Sequence, residues 1–184
     1  MSDVRAWLLL ERLSHVLREE HRAVATEHGL ALAQVEVLRY LVAANRFSDT
    51  VSALVEYLGA TKGTLSQTVS ALERKGLLVR VQDQVDRRVQ HCRVTEAGRV
   101  VVRASEAAWP PPGFDMDAGT ANRLDALLRG LLAARGGRPF GLCTSCVHHR
   151  AGPEGRRCAL LGVALTDGDA GKLCREWVAT AHGG

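Results

Sequence analysis

The chain has 184 residues, of which 46% are hydrophobic and 24% charged, a composition that supports a packed core and excludes a disordered chain. Its 24 Lys and Arg exceed its 20 Asp and Glu only modestly, so overall charge alone names no partner. No run of about 18 apolar residues occurs, which excludes a transmembrane helix, and the mixed start MSDVRAWLLLERLSHVLREE lacks the apolar stretch and cleavage site of a secretory signal. A cytoplasmic protein is expected, whose five cysteines read as thiols or metal ligands before disulfides.

Residues 4–28 carry Trp7, Leu10, Leu13, Leu17 and Val24 at helical spacing, which predicts one long amphipathic helix ending near Gly29. A second helix follows, with Leu30, Val35, Leu38, Leu41 and Val42 on one face. A short third spans roughly 49–58 and stops at Gly59; a fourth runs over about 62–75, capped by Thr61 and ended by Gly76. The period then changes. Leu77, Leu78, Val79 and Val81, the polar stretch DQVDRR and the return QHCRV predict a β-hairpin with a charged tip. Thr95 caps a further helix that stops at the break of Pro110, Pro111, Pro112 and Gly113, and a last long helix covers about 118–135, with Leu124, Leu127, Leu128, Leu131 and Leu132. The fold expected is mainly α with a small β-hairpin (α+β), divided into a domain over residues 1–136 and a Cys-rich segment over 137–184.

Helix, helix, helix, hairpin is the order of a winged helix-turn-helix, and its natural partner is a double-stranded DNA operator. Between Lys62 and Arg103 nine Lys and Arg meet four Asp and Glu, so most of the surplus charge lies where a phosphate-facing surface is needed. In the fourth helix Leu65, Val69 and Leu72 face inward, leaving Lys62, Thr64, Ser66, Gln67 and Ser70 outside or at the margin. Gln pairs well with adenine, Ser and Thr contact bases or phosphates, and Thr61 and Lys62 at the helix start suit a phosphate. At the hairpin tip Arg87 and Arg88 reach for the minor groove or its phosphates, with Asp86 as their orienter.

The stretch VDRRVQHCRVTEAGRVV, with Asp86-x-Arg88 and then Val94-Thr95-x-x-Gly98, resembles the wing of the multiple-antibiotic-resistance regulator (MarR) family. LERKGLLVRV is similar to that family's link between recognition helix and wing, and the resemblance covers roughly residues 1–135. Val85 stands where the family often has a further arginine. The resemblance implies a homodimer held by the first and last two helices, acting on a pseudo-palindromic operator, usually as a repressor, with a small-molecule effector as a further partner.

From residue 136 the sequence changes character. Four of the five cysteines fall here, as Cys143-x2-Cys146-x11-Cys158-x15-Cys174, and a CxxC pair with two further cysteines makes a four-thiolate metal site. Zinc sites normally draw on two close pairs, and only one pair is close; a 4Fe–4S cluster accepts such spacing, so the cluster is the expected cofactor and zinc the alternative. A helix starting at Thr166 is expected to present Cys174 from its third turn, with the site beside the last dimer helix. His148 and His149 read as solvated loop residues, Cys92 as a small buried strand residue, and His15, His21 and His28 lack ligand spacing.

No nucleophile elbow, P-loop or HExxH occurs, so an enzyme is not expected. The expected function is a DNA-binding regulator sensing redox state or metal through the four-cysteine cluster. The alternative is such a regulator with structural zinc, responding to a small ligand.

Overall fold

In the computed structural model, residues 4–108, 110, 113–153 and 155–180 are described. Trp109, Pro111 and Pro112 of the expected helix end and proline break lie outside them. The order is α1 (Val4–Glu27), α2 (Leu32–Ala43), α3 (Val51–Leu58), α4 (Lys62–Arg74), β1 (Leu78–Gln82), β2 (Gln90–Val94), α5 (Glu96–Ala107) and α6 (Ala118–Ala134). A second lobe follows: β3 (Gly141–Leu142), a 3-10 turn (Cys143–Ser145), β4 (His149–Gly152), β5 (Gly155–Cys158), β6 (Val163–Leu165), α7 (Asp167–Ala170) and β7 (Leu173–Cys174).

Local chemistry sets the helix ends. Thr50, Thr61, Thr95 and Asp117 each lie just before a helix, and their side chains accept from the backbone N–H three residues on, satisfying a donor the helix itself leaves unpaired. At the end of α4, Gly76 adopts φ 71°, a region open to glycine at little cost. That reversal lets the Leu77 N–H close on Leu72 O at 3.0 Å and sends the chain into β1.

Leu65, Val69 and Leu72 of α4 bury against Val35 and Leu38 of α2, Leu54 of α3 and Leu78 of β1 in one continuous core. β1 and β2 pair antiparallel from Leu78↔Val94 to Gln82↔Gln90. The hairpin is tied to the corner between α2 and α3: Thr50 bridges His91, and the Cys92 N–H donates to Asp49 O at 2.6 Å. α1 and α6 depart from simple amphipathic packing. Only Val24 and Ala25 of α1 are buried, and no residue of α6 is. Trp7 and Leu13, read as one face of α1, are exposed.

The second lobe consists of a three-stranded sheet β4-β5-β6 and the pair β3-β7. It corrects one expectation. The helix beginning at Thr166 lasts a single turn, locked by a capping box with Asp169 and ended at Gly171. Cys174 is therefore not helical; it sits on β7, opposite Gly141. Asp169 closes that turn on itself, and the chain beyond finds its partners on β3 more than thirty residues back.

Candidate nucleic-acid interface and cysteine cage

α4 presents its N-terminus to solvent. Thr61 caps it, accepting from the Thr64 N–H at 3.2 Å, and its hydroxyl meets the Thr64 hydroxyl at 2.9 Å. Lys62, Thr64 and Gln67 are exposed and Ser66 is half-buried. Ser70 turns onto the flank: its hydroxyl donates to Ser66 O at 2.9 Å and accepts from the Arg80 guanidinium. Arg80, on β1, is the basic residue that sequence reasoning missed. Strand alternation puts it on the face of Leu78, which is the signal that could have found it.

The wing tip is held by short side-chain caps. One oxygen of Asp83 accepts from the Val85 and Asp86 N–H groups, both at 2.8 Å. Asp86 in turn grips Arg88 through both carboxylate oxygens, at 3.0 Å from Nε and 2.9 Å from a terminal nitrogen. The guanidinium, 90% exposed, is thus aimed by a bidentate pair and free of other structure on its outer side. That hydrogen bond holds the Asp86 carboxyl below the usual carboxylate range. Arg87 is exposed beside it. Between α4 and the wing lies a cleft of about 430 Å³ lined by Lys62, Ser66, Arg80, Arg88 and Arg175. Four basic side chains line it, of which Arg80, Arg88 and Arg175 are ion-paired with Glu73, Asp86 and Glu56.

Behind the wing, His91 is clasped by two carboxylates: Nδ1 meets Asp49, and Nε2 lies 3.2 Å from Asp83. Burial works against the charged imidazole, but the hydrogen bonds and charges of Asp49 and Asp83 outweigh it, and the pKa is raised.

All four cysteines of the second lobe are free and buried. Cys143 opens the 3-10 turn and Cys146 follows it, Cys158 ends β5 and Cys174 ends β7. Strand pairing sets Cys158 beside His149, three residues past Cys146, and Cys174 beside Gly141, two residues before Cys143. Burial pushes the Cys143 thiol up to about 11, and Cys174, Cys158 and Cys146 add to the shift, so the four sulfurs lie within electrostatic reach of one another. N–H groups converge on them. The Val178 N–H points at Cys146 Sγ at 3.5 Å. Burial raises the Cys174 pKa, while Asn45, the Glu176 N–H and Ser48 favour its thiolate. Asn45 Nδ2 is buried and closes no hydrogen bond with a protein acceptor. Among the described residues no three His, Cys, Asp or Glu side chains are grouped to hold a single metal ion. His149, expected in a solvated loop, instead lies half-buried on β4 with Nε2 out of solvent and unpartnered.

The lobe is fastened to the corner between α2 and α3. Ala44 bridges Leu173, and the Asn45 N–H donates to Leu173 O at 2.9 Å. The Arg175 N–H donates to Ser48 Oγ at 2.8 Å, and its guanidinium forks onto Glu56 of α3. Arg46 reaches Ala164 O at 2.7 Å, and Phe47 packs against Cys143, Cys158 and Leu165. α6, the neighbour expected, touches the lobe through Arg129 over the Trp177 ring, 5.9 Å from its centroid.

Comparison with known proteins agrees with this architecture. The chain is similar to AbsC, a MarR family transcriptional regulator from Streptomyces coelicolor (TM-score 0.58, 22% identity, 74% of this chain and 97% of that one). It is similar to CouR from Rhodococcus jostii RHA1 bound to p-coumaroyl-CoA (TM-score 0.58, 22% identity, 71% and 92%). It is similar also to a MepR–DNA complex from S. aureus (TM-score 0.53, 22% identity, 69% and 96%). These likenesses show the fold, and about a quarter of this chain, the size of the cysteine lobe, extends beyond it. No match is found among curated proteins. In sequence, residues 28–89, from just before α2 to the wing tip, match the model of the MarR family.

Proposed function

We propose that this protein is a DNA-binding transcriptional regulator, not an enzyme, that binds a pseudo-palindromic operator as a homodimer and represses from it. The observation that carries the reading is the cationic cleft, in which the capped N-terminus of α4 and the Asp86-aimed Arg88 flank one groove. A helix N-terminus and an arginine on a wing contact DNA at two points that fix register. The fold neighbour from S. aureus is a DNA complex; the one bound to p-coumaroyl-CoA supports a small-molecule effector here as well.

The second part of the proposal is a 4Fe–4S cluster on Cys143, Cys146, Cys158 and Cys174, through which the regulator senses redox state. Burial raises the thiol pKa of Cys143 and Cys174, so both are poorly ionised without a cation, and the N–H groups aimed at Cys146 and Cys174 suit coordinated thiolates. The spacing Cys143-x2-Cys146-x11-Cys158-x15-Cys174, with only one close pair, favours a cluster over tetrahedral zinc. When bound, the cluster supplies a one-electron couple able to give its electron to an oxidant such as dioxygen. The chain's own residues exclude water from it and hold its ligands in place.

One preparation tests both parts. Protein purified without oxygen is expected to be brown, with broad visible absorption, and to contain iron and sulfide. On a duplex selected by the wild type, Arg88→Ala is expected to weaken binding at least about fivefold and to reduce the slope of log K against log salt by about one. An unchanged slope rules out the wing contact, and a colourless protein with one zinc per chain rules out the cluster.

A further inference from the structure

Where the cysteine lobe docks on the winged helix it leaves a cleft of about 390 Å³, used by neither the DNA contact nor the cysteine cage. That volume falls within the about 300–1,000 Å³ of small-ligand sites. Leu41 and Ala44 at the end of α2 and Cys92 on β2, all buried, form its apolar part. The rest is charged, and the charges come from both bodies.

Four cations line it: Arg46 from the corner between α2 and α3, Arg93 from β2, Arg99 from the first turn of α5 and Lys172 from the lobe, just before β7. Arg46 is already engaged, donating to Ala164 O at 2.7 Å and lying 3.6 Å from Asp169. Among the described residues Arg93, Arg99 and Lys172 form no ion pair. The two carboxylates on the walls do not meet that need. Asp49 holds the His91 ring and feels Arg93 only through space. Asp169 accepts from the Thr166 N–H at 3.0 Å and from its hydroxyl at 2.7 Å. The three unpaired cations stand on fixed backbone. Arg93 pairs with Val79 in the hairpin, and the Arg99 N–H donates to Thr95 O at 2.9 Å. The Lys172 N–H donates to Asp169 O at 3.2 Å, and its carbonyl accepts from the Cys143 N–H at 3.1 Å. Like charges held in one cleft repel each other and concentrate their field on it; an anion seated among them removes that repulsion.

We infer that this cleft binds the phosphoryl group of a small phosphate monoester, held by Arg93 and Arg99 of the winged helix on one side and Lys172 of the lobe on the other. Four cations against two carboxylates leave the walls two positive charges in excess, which a phosphate dianion neutralises. Two guanidinium forks and a compact ammonium offer donors from separate directions, as the three outer oxygens of a phosphate require. The small body of the ester lies toward Leu41, Ala44 and Cys92. A ligand seated there ties the lobe to β2 and α5. It gives the small-molecule effector proposed above a place and a charge, and rests on that reading only for any effect on DNA.

The test needs no DNA, so its failure and that of the regulator reading are distinct. Inorganic phosphate, methyl phosphate and malonate are titrated calorimetrically into anaerobically purified full-length protein at constant ionic strength, for wild type, Arg99→Gln, Lys172→Gln and Arg88→Ala. Wild type is expected to take one phosphate or methyl phosphate per chain with a Kd at or below about 1 mM, and malonate more weakly. Arg99→Gln and Lys172→Gln, on opposite walls, are each expected to weaken binding roughly tenfold, the scale of one charge-assisted hydrogen bond, while Arg88→Ala keeps it. Arg99 is exposed and outside the lobe, so Arg99→Gln serves if Lys172→Gln disturbs the lobe's fold. No saturable phosphate binding by the wild type overturns the site. Binding that survives Arg99→Gln but is lost in Arg88→Ala places the anion in the DNA cleft and overturns it too. Malonate bound as tightly as methyl phosphate overturns the phosphoryl assignment.

Discussion

His91 owes its position to strand register, which brings it against Thr50 and turns its ring toward Asp49 and Asp83. Its pKa is raised in the folded chain, so its stabilising contribution is complete below the ordinary histidine value of about 6.5 and is lost as pH rises through the higher folded value. Replacing it with Gln is expected to cost about 1–3 kcal/mol near pH 6, the scale of hydrogen bonds to charged groups. The deficit is expected to shrink toward pH 9. Urea unfolding of both proteins across that range reads the difference directly; a deficit that grows with pH would mean the imidazole is held neutral. The adjacent Cys92 behaves differently. It is 1% exposed, and burial pushes its thiol up to about 11, so it has almost no thiolate at neutral pH and packs as a small strand residue.

At the scale of elements, the docking of α5 on the hairpin depends on Gly98. A Cβ there would stand 2.2 Å from Leu77 O and 2.6 Å from Val94 Cγ1, and a backbone carbonyl cannot rotate out of the way. Gly98→Ala is expected to destabilise the fold by about 1–3 kcal/mol or more through overpacking, read as a lower denaturation midpoint with unchanged m-value. A neutral effect would show that α5 and the hairpin can separate without loss. Gly98 was read only as part of the family resemblance, since the Leu77 carbonyl it must clear lies on a distant stretch of chain, whereas the Thr95 cap was legible because it is a local demand on sequence. Helix ends at Thr50, Thr61 and Thr95 and the hairpin from Leu78 to Val94 were readable for that reason, as was Asp86 beside Arg88. The strands of the cysteine lobe were not. Each is two to four residues long, too short for a periodic signal. Cys174 takes its place from pairing with Gly141, a distant partner that no local window contains. The grip of Ser48 and Glu56 on Arg175 spans well over a hundred residues of chain, and could be found only in three dimensions.

For the whole molecule, the apolar surfaces of α1 and α6 are the features a single chain leaves unexplained. Val4, Trp7, Leu8, Leu9 and Leu13 stand exposed on one helix and Leu124, Leu127 and Leu128 on the other. An isolated soluble chain rarely exposes apolar residues in such continuous stripes, and a second copy covering them fits the proposed homodimer, whose two recognition helices would meet two half-sites. Leu13 is 51% and Leu128 55% exposed in the single chain, so Leu13→Glu with Leu128→Glu should leave the fold of each chain intact. Charges placed in the dimer contact are expected to weaken association by on the order of 100-fold or more. Sedimentation is then expected to give the mass of one chain for the variant and of two for the wild type, with the same helical circular dichroism. Binding to the two-half-site duplex should fall to that of a single half-site, because the second head no longer benefits from the first. A variant that still sediments as two chains would place the dimer contact elsewhere, and full operator affinity from a verified single chain would remove dimerisation from the mechanism of recognition.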